Sequence, residues 1–214
     1  MSLRWFKVDK ESCVQPRTGS YSDWKEILAD ESHHQCVYCA IPDDVFGGSR
    51  HFHVEHYRPK GREEFSHLLN DMKNLFYSCS VCNTFKGDDW PGDPDTDLQS
   101  VCYPDPSKVD YNLIFMHMGS FEIDGLNPAS RYVVRKLCLN RRHLILERRK
   151  SAAMSRLRMN LDKLMTYRRM LRASVDPQDK ALVEELTDKY EEIIRFAFQR
   201  QRLILYKSED LRRL

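Results

Sequence analysis

The stretches CVYC at residues 36–39 and CSVC at residues 79–82 decide the fold of this 214-residue chain. Each stretch holds two thiols two residues apart, a spacing that lets both sulfurs reach one metal ion of tetrahedral preference. The seven cysteines are odd in number and clustered, which argues against a disulfide framework. Redox-active dithiols or cysteines that merely lie in a core are the alternatives. We predict one closed structural zinc site, with four ligands: Cys36, Cys39, Cys79 and Cys82.

The segment between the two cysteine pairs is longer than in ordinary zinc ribbons and contains HVEHYRPK at residues 53–60. Residues 51–57 alternate in polarity and predict a strand, and Asn83 is predicted to open a helix directly after the second pair. Adjacent Glu55 and His56 combine a hard oxygen ligand with an imidazole suited to deprotonating water. Because the zinc brings the helix start to the strand end, we expect a divalent cation between Glu55 and Asn83, with His56 beside it.

Basic side chains accompany this motif. Arg58, Lys60 and Lys86 are predicted to neutralise phosphates, which positions a nucleic acid without reading its sequence. From Arg131 to Arg172 there are fourteen Lys/Arg and two acids, a charge of +12 in a chain whose total is +2. This asymmetry favours contact with a polyanion. A merely solvated face and docking to an acidic partner are the alternatives.

Local signals predict helices around the cysteine-rich part. Residues 22–29 have helical spacing, with Ser20 or Ser22 as the cap. Asn127-Pro128 and Asp176-Pro177 each join a capping side chain to a proline at the first helical position. A long helix ending near residue 173, followed by a short turn and another helix, predicts an antiparallel hairpin. We predict a predominantly α fold of the α+β class in three parts: residues 1–29, 30–106 and 107–214.

No apolar run approaches the length that spans a bilayer, and the first ten residues lack the apolar stretch of a secretion signal. We therefore expect a soluble, cytoplasmic protein without a membrane partner.

Taken together, CVYC, HVEHYRPK and NLFYSCSVCNTFKG (residues 74–87) resemble the motif of HNH endonucleases, the His-Me finger or ββα-metal nucleases. The resemblance implies a zinc-stapled ββα-metal core embedded in helices. It implies that His56 is the general base, that Glu55 and Asn83 bind the catalytic cation, and that Asn74 braces the intervening loop. Glu55 stands where Asp is commoner, and Asn83 where His is commoner. An oxygen-only ligand set favours Mg²⁺ or Mn²⁺ over a second zinc.

The sequence that flanks the motif resembles one subgroup of these nucleases. EHYRPK and the later LCLNRR at residues 137–142 are similar to small HNH proteins of bacterial anti-phage systems, such as the Septu nuclease subunit and retron effectors. In that group the partner is an ATPase, which the resemblance implies here too. Four arginines of this later region are expected to contact nucleic acid: Arg141, Arg142, Arg148 and Arg149.

The expected activity is hydrolysis of nucleic-acid phosphodiester bonds as a defence effector, with DNA favoured over RNA. An RNase acting on structured RNA such as tRNA stays open, because nothing in the motif excludes a 2′-hydroxyl. A non-catalytic zinc-binding adaptor for nucleic acid or protein also stays open, although an adaptor has no need of Glu55, His56 and Asn83.

Overall fold

The computed structural model describes residues 3–173 and 176–210, without the side chains of residues 172 and 194–210. The chain divides into two compact units, Met1–Ala152 and Ala153–Leu214. Over the described residues, long helices and two small antiparallel sheets of two strands each give an α+β protein, as predicted. The three-part division predicted from the sequence stays a prediction.

The centre of the first unit is a strand, strand, helix arrangement. Strand β1 (Phe52–His56) pairs with strand β2 (Leu75–Cys79) so that Glu55 lies opposite Phe76 and His56 opposite Leu75. Helix α2 (Ser80–Lys86) follows β2 without a loop. The predicted strand is confirmed within one residue at each end.

Helix α2 begins earlier than predicted, at Ser80 rather than at Asn83. The Cys79 sulfur caps the helix by accepting a hydrogen bond from the Cys82 backbone N–H at 3.4 Å. The second CxxC turn is therefore the first turn of α2, and Asn83 lies inside the helix.

Short helical segments frame these strands. Helix α1 (Lys25–Glu31) continues a 3₁₀ turn at Tyr21–Trp24, and the Ser20 backbone N–H donates to the Asp23 carboxylate at 2.8 Å, as in a capping box. The predicted helix is therefore confirmed, with Ser20 before its first turn. In the part of the chain that the structure describes, further 3₁₀ helices span Asp44–Phe46, Ser49–His51, Glu63–Leu68 and Met72–Asn74.

The remainder of the first unit forms a second sheet and helix. Helix α3 (Tyr111–Ile114) leads into β3 (Phe115–His117), which pairs with β4 (Ile123–Gly125). Helix α4 (Pro128–Lys136) begins where predicted, and Asn127 Oδ1 accepts from the Ser130 N–H at 2.9 Å. A Cβ atom at Gly125 would lie 2.2 Å from the Arg131 nitrogen, so only glycine lets β4 approach α4 this closely.

Two long helices follow, α5 (Arg142–Arg172) and α6 (Pro177–Asp210), the latter beginning at the predicted proline. Among the described side chains between residues 157 and 193, half-buried positions recur about every three or four residues in both helices, as they do where two helices share a seam. Arg168 of α5 and Val183 of α6 line a common cleft, which supports the predicted hairpin. None of the helices in the described part of the chain combines the length and apolar character of a membrane span.

Candidate functional site

The four predicted cysteines converge in the first unit. Their sulfurs all lie within 4.8 Å of one another, and all four residues are buried. The Cys39 and Cys79 sulfurs are 3.8 Å apart, which matches the edge of about 3.8 Å expected for a tetrahedron of zinc–sulfur bonds about 2.3 Å long. In the described part of the chain, no other group of three or more His, Cys, Asp or Glu residues converges in this way. The cluster can hold a metal ion such as zinc.

The electrostatics of the cluster also fit a divalent cation. Burial raises the pKa of the Cys36 and Cys82 thiols, whereas hydrogen bonds from the other three thiols hold the pKa of Cys79 well below its usual value. The protein alone therefore favours the thiolate of Cys79 and disfavours the thiolates of Cys36 and Cys82. A bound divalent cation makes all four thiolates favourable together.

Arg141 lies against this cluster. Its Nη2 atom is 3.5, 3.7 and 3.6 Å from the sulfurs of Cys39, Cys79 and Cys82. Burial disfavours the charged guanidinium, but the three sulfurs outweigh that effect and raise its pKa. A zinc ion held by four thiolates would carry two net negative charges, which the guanidinium would partly neutralise. This geometry corrects the expectation that Arg141 contacts nucleic acid.

A cleft of about 400 Å³ opens on the same strand, strand, helix unit. It brings together Glu55, His56 and Asn83, as the sequence predicts, and adds side chains from the N-terminal region. Its polar lining residues are Tyr21, Ser22, Lys25, His53, Glu55, His56, Lys60, Asn83 and Asp88.

His56 ends β1 with a fixed ring. Its Nε2 atom lies 3.0 Å from the carbonyl oxygen of Leu69, so the neutral ring carries its proton on Nε2 and leaves Nδ1 as an acceptor. Burial lowers the pKa of His56 below its ordinary value of 6.5. The side chain is therefore an unprotonated base at neutral pH.

Glu55 is paired with Lys86. Lys86 Nζ lies 2.7 Å from Glu55 Oε1, and the two side chains are 0% and 4% exposed. Lys86 also donates to the backbone oxygen of His56 at 2.9 Å, and Tyr38 donates its hydroxyl to Glu55 Oε1 at 3.4 Å. Burial raises the pKa of Glu55, against the opposing effect of Lys86. The expectation that Lys86 neutralises a phosphate is corrected, because its ammonium lies in the core.

Asn83 is linked to His53, a residue that was not predicted to belong to the site. Its Nδ2 atom lies 3.4 Å from His53 Nδ1, and both side chains line the cleft. A signal was available, because His53 precedes Glu55 by two residues and so lies on the same face of β1.

Asn74 spans the loop between β1 and β2. Its Oδ1 atom accepts from the Arg58 N–H at 2.8 Å, and its Nδ2 atom donates to the carbonyls of Arg58 at 3.1 Å and Leu68 at 3.4 Å. These contacts are those of a bracing asparagine, the role that the resemblance implies.

The other residues predicted to contact nucleic acid differ in how exposed their side chains are. Arg148 is fully buried and donates to the carbonyls of Leu139 at 2.6 Å and Phe121 at 3.2 Å, and burial lowers its pKa to about 10. Its predicted role is therefore wrong. Arg142 and Arg149 are exposed. Arg58 pairs with Asp93 at 2.9 Å, and Lys60 donates to the Tyr21 hydroxyl at 2.8 Å. For these four residues, contact with nucleic acid stays a prediction.

No family model matches the chain, and neither a curated protein nor a solved structure matches it. We therefore infer the function from the cysteine cluster and the cleft.

Proposed function

We propose that this protein is a metal-dependent nuclease of the HNH type, which hydrolyses phosphodiester bonds of DNA in preference to RNA. The observation that carries the proposal is His56. This imidazole is buried, has a lowered pKa and a fixed tautomer, and lines a cleft that also contains a carboxylate, an amide and ammonium groups. Such a group is suited to take a proton from a water molecule.

In this proposal, His56 Nδ1 accepts the proton of the attacking water. The bond from Nε2 to the Leu69 carbonyl holds the ring and stabilises the imidazolium that forms. Lys60 and Lys25 line the cleft and supply positive charge for the phosphates of the bound strand. Their side chains are exposed and half-buried, respectively, and so are accessible to a polyanion.

Glu55, Asn83 and His53 would hold the catalytic cation. Carboxylate and amide oxygens suit Mg²⁺ and Mn²⁺, and an imidazole nitrogen is better suited to Mn²⁺. When bound, the cation supplies charge neutralisation at the phosphate under attack. Because Lys86 already neutralises part of the Glu55 charge, we expect weak binding of the cation in the absence of nucleic acid.

The test is incubation of the purified chain with supercoiled plasmid, single-stranded DNA and total tRNA, each with Mg²⁺, Mn²⁺ or EDTA. We expect DNA cleavage with Mg²⁺ or Mn²⁺. His56→Ala should abolish it while zinc content and circular dichroism stay unchanged. The matched control is His67→Ala, which removes an exposed histidine outside the cleft lining. Cleavage by His56→Ala at the wild-type rate would overturn the assignment.

On the resemblance alone, we also propose that the nuclease is the effector of an anti-phage system and that an ATPase subunit is its partner. Purification of the tagged chain from its native host should then yield a bound ATPase, measured as ATP hydrolysis in the eluate. An eluate without ATP hydrolysis contradicts the partner proposal only, because the cleavage assay tests the nuclease separately.

A non-catalytic adaptor is the second candidate. The observation that favours it is the Glu55–Lys86 ion pair, which gives the buried carboxylate a structural partner. An adaptor would bind nucleic acid with a steep salt dependence and yield no product with any substrate or metal. Cleavage restricted to the tRNA arm would instead identify an RNase.

A further inference from the structure

Two residues from the N-terminal region bond to one residue of the loop between β1 and β2. The Tyr21 backbone N–H donates to Asn70 Oδ1 at 2.9 Å, and Gln15 Nε2 donates to the Asn70 carbonyl at 2.9 Å. Gln15 Oε1 also accepts from the Met72 N–H at 3.0 Å. We call Gln15 and Tyr21 the N-terminal clamp.

The clamp acts next to the carbonyl that orients the base. Asn70 follows Leu69, whose oxygen accepts the hydrogen bond from His56 Nε2. The Leu69 and Asn70 side chains are exposed, so burial contributes little to fixing this part of the loop. Asn74 braces the same loop at Arg58 and Leu68. Backbone bonds from Leu69 to Ser66 and from Asp71 to Leu68 close the turn, and the clamp ties that turn to the N-terminal region.

The clamp also reaches the imidazole directly. The Tyr21 ring packs edge-on against the His56 ring, with centroids 4.7 Å apart. The Tyr21 hydroxyl accepts from Lys60 Nζ at 2.8 Å, and that ammonium lies 4.6 Å from the Tyr21 ring centroid. One N-terminal side chain therefore contacts both the base and a cation of the cleft.

We propose that Gln15 and Tyr21 are positioning residues for His56. Through Asn70 they hold the Leu69 carbonyl within hydrogen-bond reach of His56 Nε2, which keeps the proton on Nε2 and the ring in one orientation. The inference rests on the proposed function, in which His56 is the base. Neither clamp residue is assigned contact with the reacting atoms.

The experiment measures the His56 Nε2–H proton by nuclear magnetic resonance in the full, zinc-loaded chain, without added Mg²⁺ or Mn²⁺. Gln15→Leu removes a donor and an acceptor at similar side-chain length, and Asn70→Ala removes the acceptor of the Tyr21 N–H. In both variants we expect exchange of the Nε2 proton with water to become about tenfold faster, the effect of losing one hydrogen bond. Asn70→Asp keeps an acceptor for the Tyr21 N–H, so the His56 Nε2 proton should exchange as slowly as in the wild-type chain.

The matched control is Gln99→Leu, an equivalent change at an exposed glutamine outside the cleft lining. In the cleavage assay the clamp variants should lose about 10-fold to 100-fold in kcat with little change in KM, as expected when an orienting hydrogen bond is lost. If Gln15→Leu and Asn70→Ala show the same proton exchange as Gln99→Leu, the clamp proposal is wrong. If the wild-type chain cleaves nothing, the proposed function fails, and the exchange rates still decide whether the clamp holds His56.

Discussion

Replacing Lys86 with methionine should leave the Glu55 carboxylate buried without its positive partner. The pair is 2.7 Å apart, and its two side chains are 0% and 4% exposed. Methionine is similar in length and apolar, so the change removes charge with little loss of packing. Removing one member of a buried ion pair costs about 3–5 kcal/mol, and we expect the free energy of unfolding to fall by about that amount at neutral pH.

The loss of stability in Lys86→Met should be smaller at low pH than at neutral pH. Burial already raises the pKa of Glu55 above its ordinary value of 4.5, and Lys86 opposes that increase. Without Lys86 the folded-state pKa rises further above the unfolded value, so the ionised carboxylate destabilises the folded chain at neutral pH. As pH falls through the raised folded-state pKa, Glu55 takes up a proton and the penalty of Lys86→Met should shrink.

The assay is urea unfolding of the zinc-loaded chain, followed by the fluorescence of the buried tryptophans Trp5, Trp24 and Trp90. Lys73→Met is the matched control, because Lys73 is exposed in the same unit. Adding Glu55→Gln to Lys86→Met should recover part of the stability, since no buried charge then remains. If Lys86→Met and Lys73→Met differ by less than about 0.5 kcal/mol, the range of ordinary surface changes, the buried Glu55–Lys86 pair does not contribute the expected stability.

Two further predictions concern the metal centre and the base. Arg141→Ala should release zinc to a chelator about tenfold faster than wild type, because the guanidinium no longer neutralises the three sulfurs that it contacts. Arg142→Ala, at an exposed neighbour, is the control, and equal release rates in the two variants would contradict the role of Arg141. In the pH profile of kcat/KM, the fall in activity at low pH should have its midpoint below pH 6.5, because burial disfavours the imidazolium form of His56. Activity should therefore fall only as pH drops through that lowered pKa, and a midpoint at or above 6.5 would speak against His56 as the base.

Short-range signals in the sequence predicted much of the fold. The two CxxC pairs converge, and the Asn127-Pro128 and Asp176-Pro177 signals each mark the start of a helix. In these cases the determining interaction lies within a few residues, as with the Asn127 cap on the Ser130 N–H, or is dictated by the chemistry of one ion. The grouping of Glu55, His56 and Asn83 in one cleft follows from the same convergence.

The errors concern basic residues, whose surroundings are set by distant parts of the chain. Lys86, Arg141 and Arg148 were predicted to meet phosphates, but their partners are a buried carboxylate, three sulfurs and backbone carbonyls, respectively. Two of these partners lie far away in the sequence, because the Arg141–Cys39 and Lys86–Glu55 contacts join residues 102 and 31 positions apart. The local sequence around Arg141 or Lys86 therefore does not indicate them. Composition predicts a positive charge there and gives no indication of whether tertiary packing buries it.

The first helix and the clamp also show that local sequence predicts an element but not its distant contacts. The sequence predicted the helix that begins near Tyr21, yet the contacts of Gln15 and Tyr21 with Asn70 join residues 55 and 49 positions apart. Glutamine, tyrosine and asparagine are common on surfaces, so no spacing rule distinguishes a clamp from a solvated segment.

The most direct test of the account is the metal content and sulfur coordination of the purified full chain, measured by elemental analysis and zinc X-ray absorption. One zinc per chain, with four sulfurs at about 2.3 Å, is the predicted result, and Cys79→Ser should lose that metal and the ordered cleft with it. A chain that folds without zinc, or a zinc shell made of nitrogen and oxygen, would contradict the account, because four thiolates would then not be what joins the two distant CxxC turns.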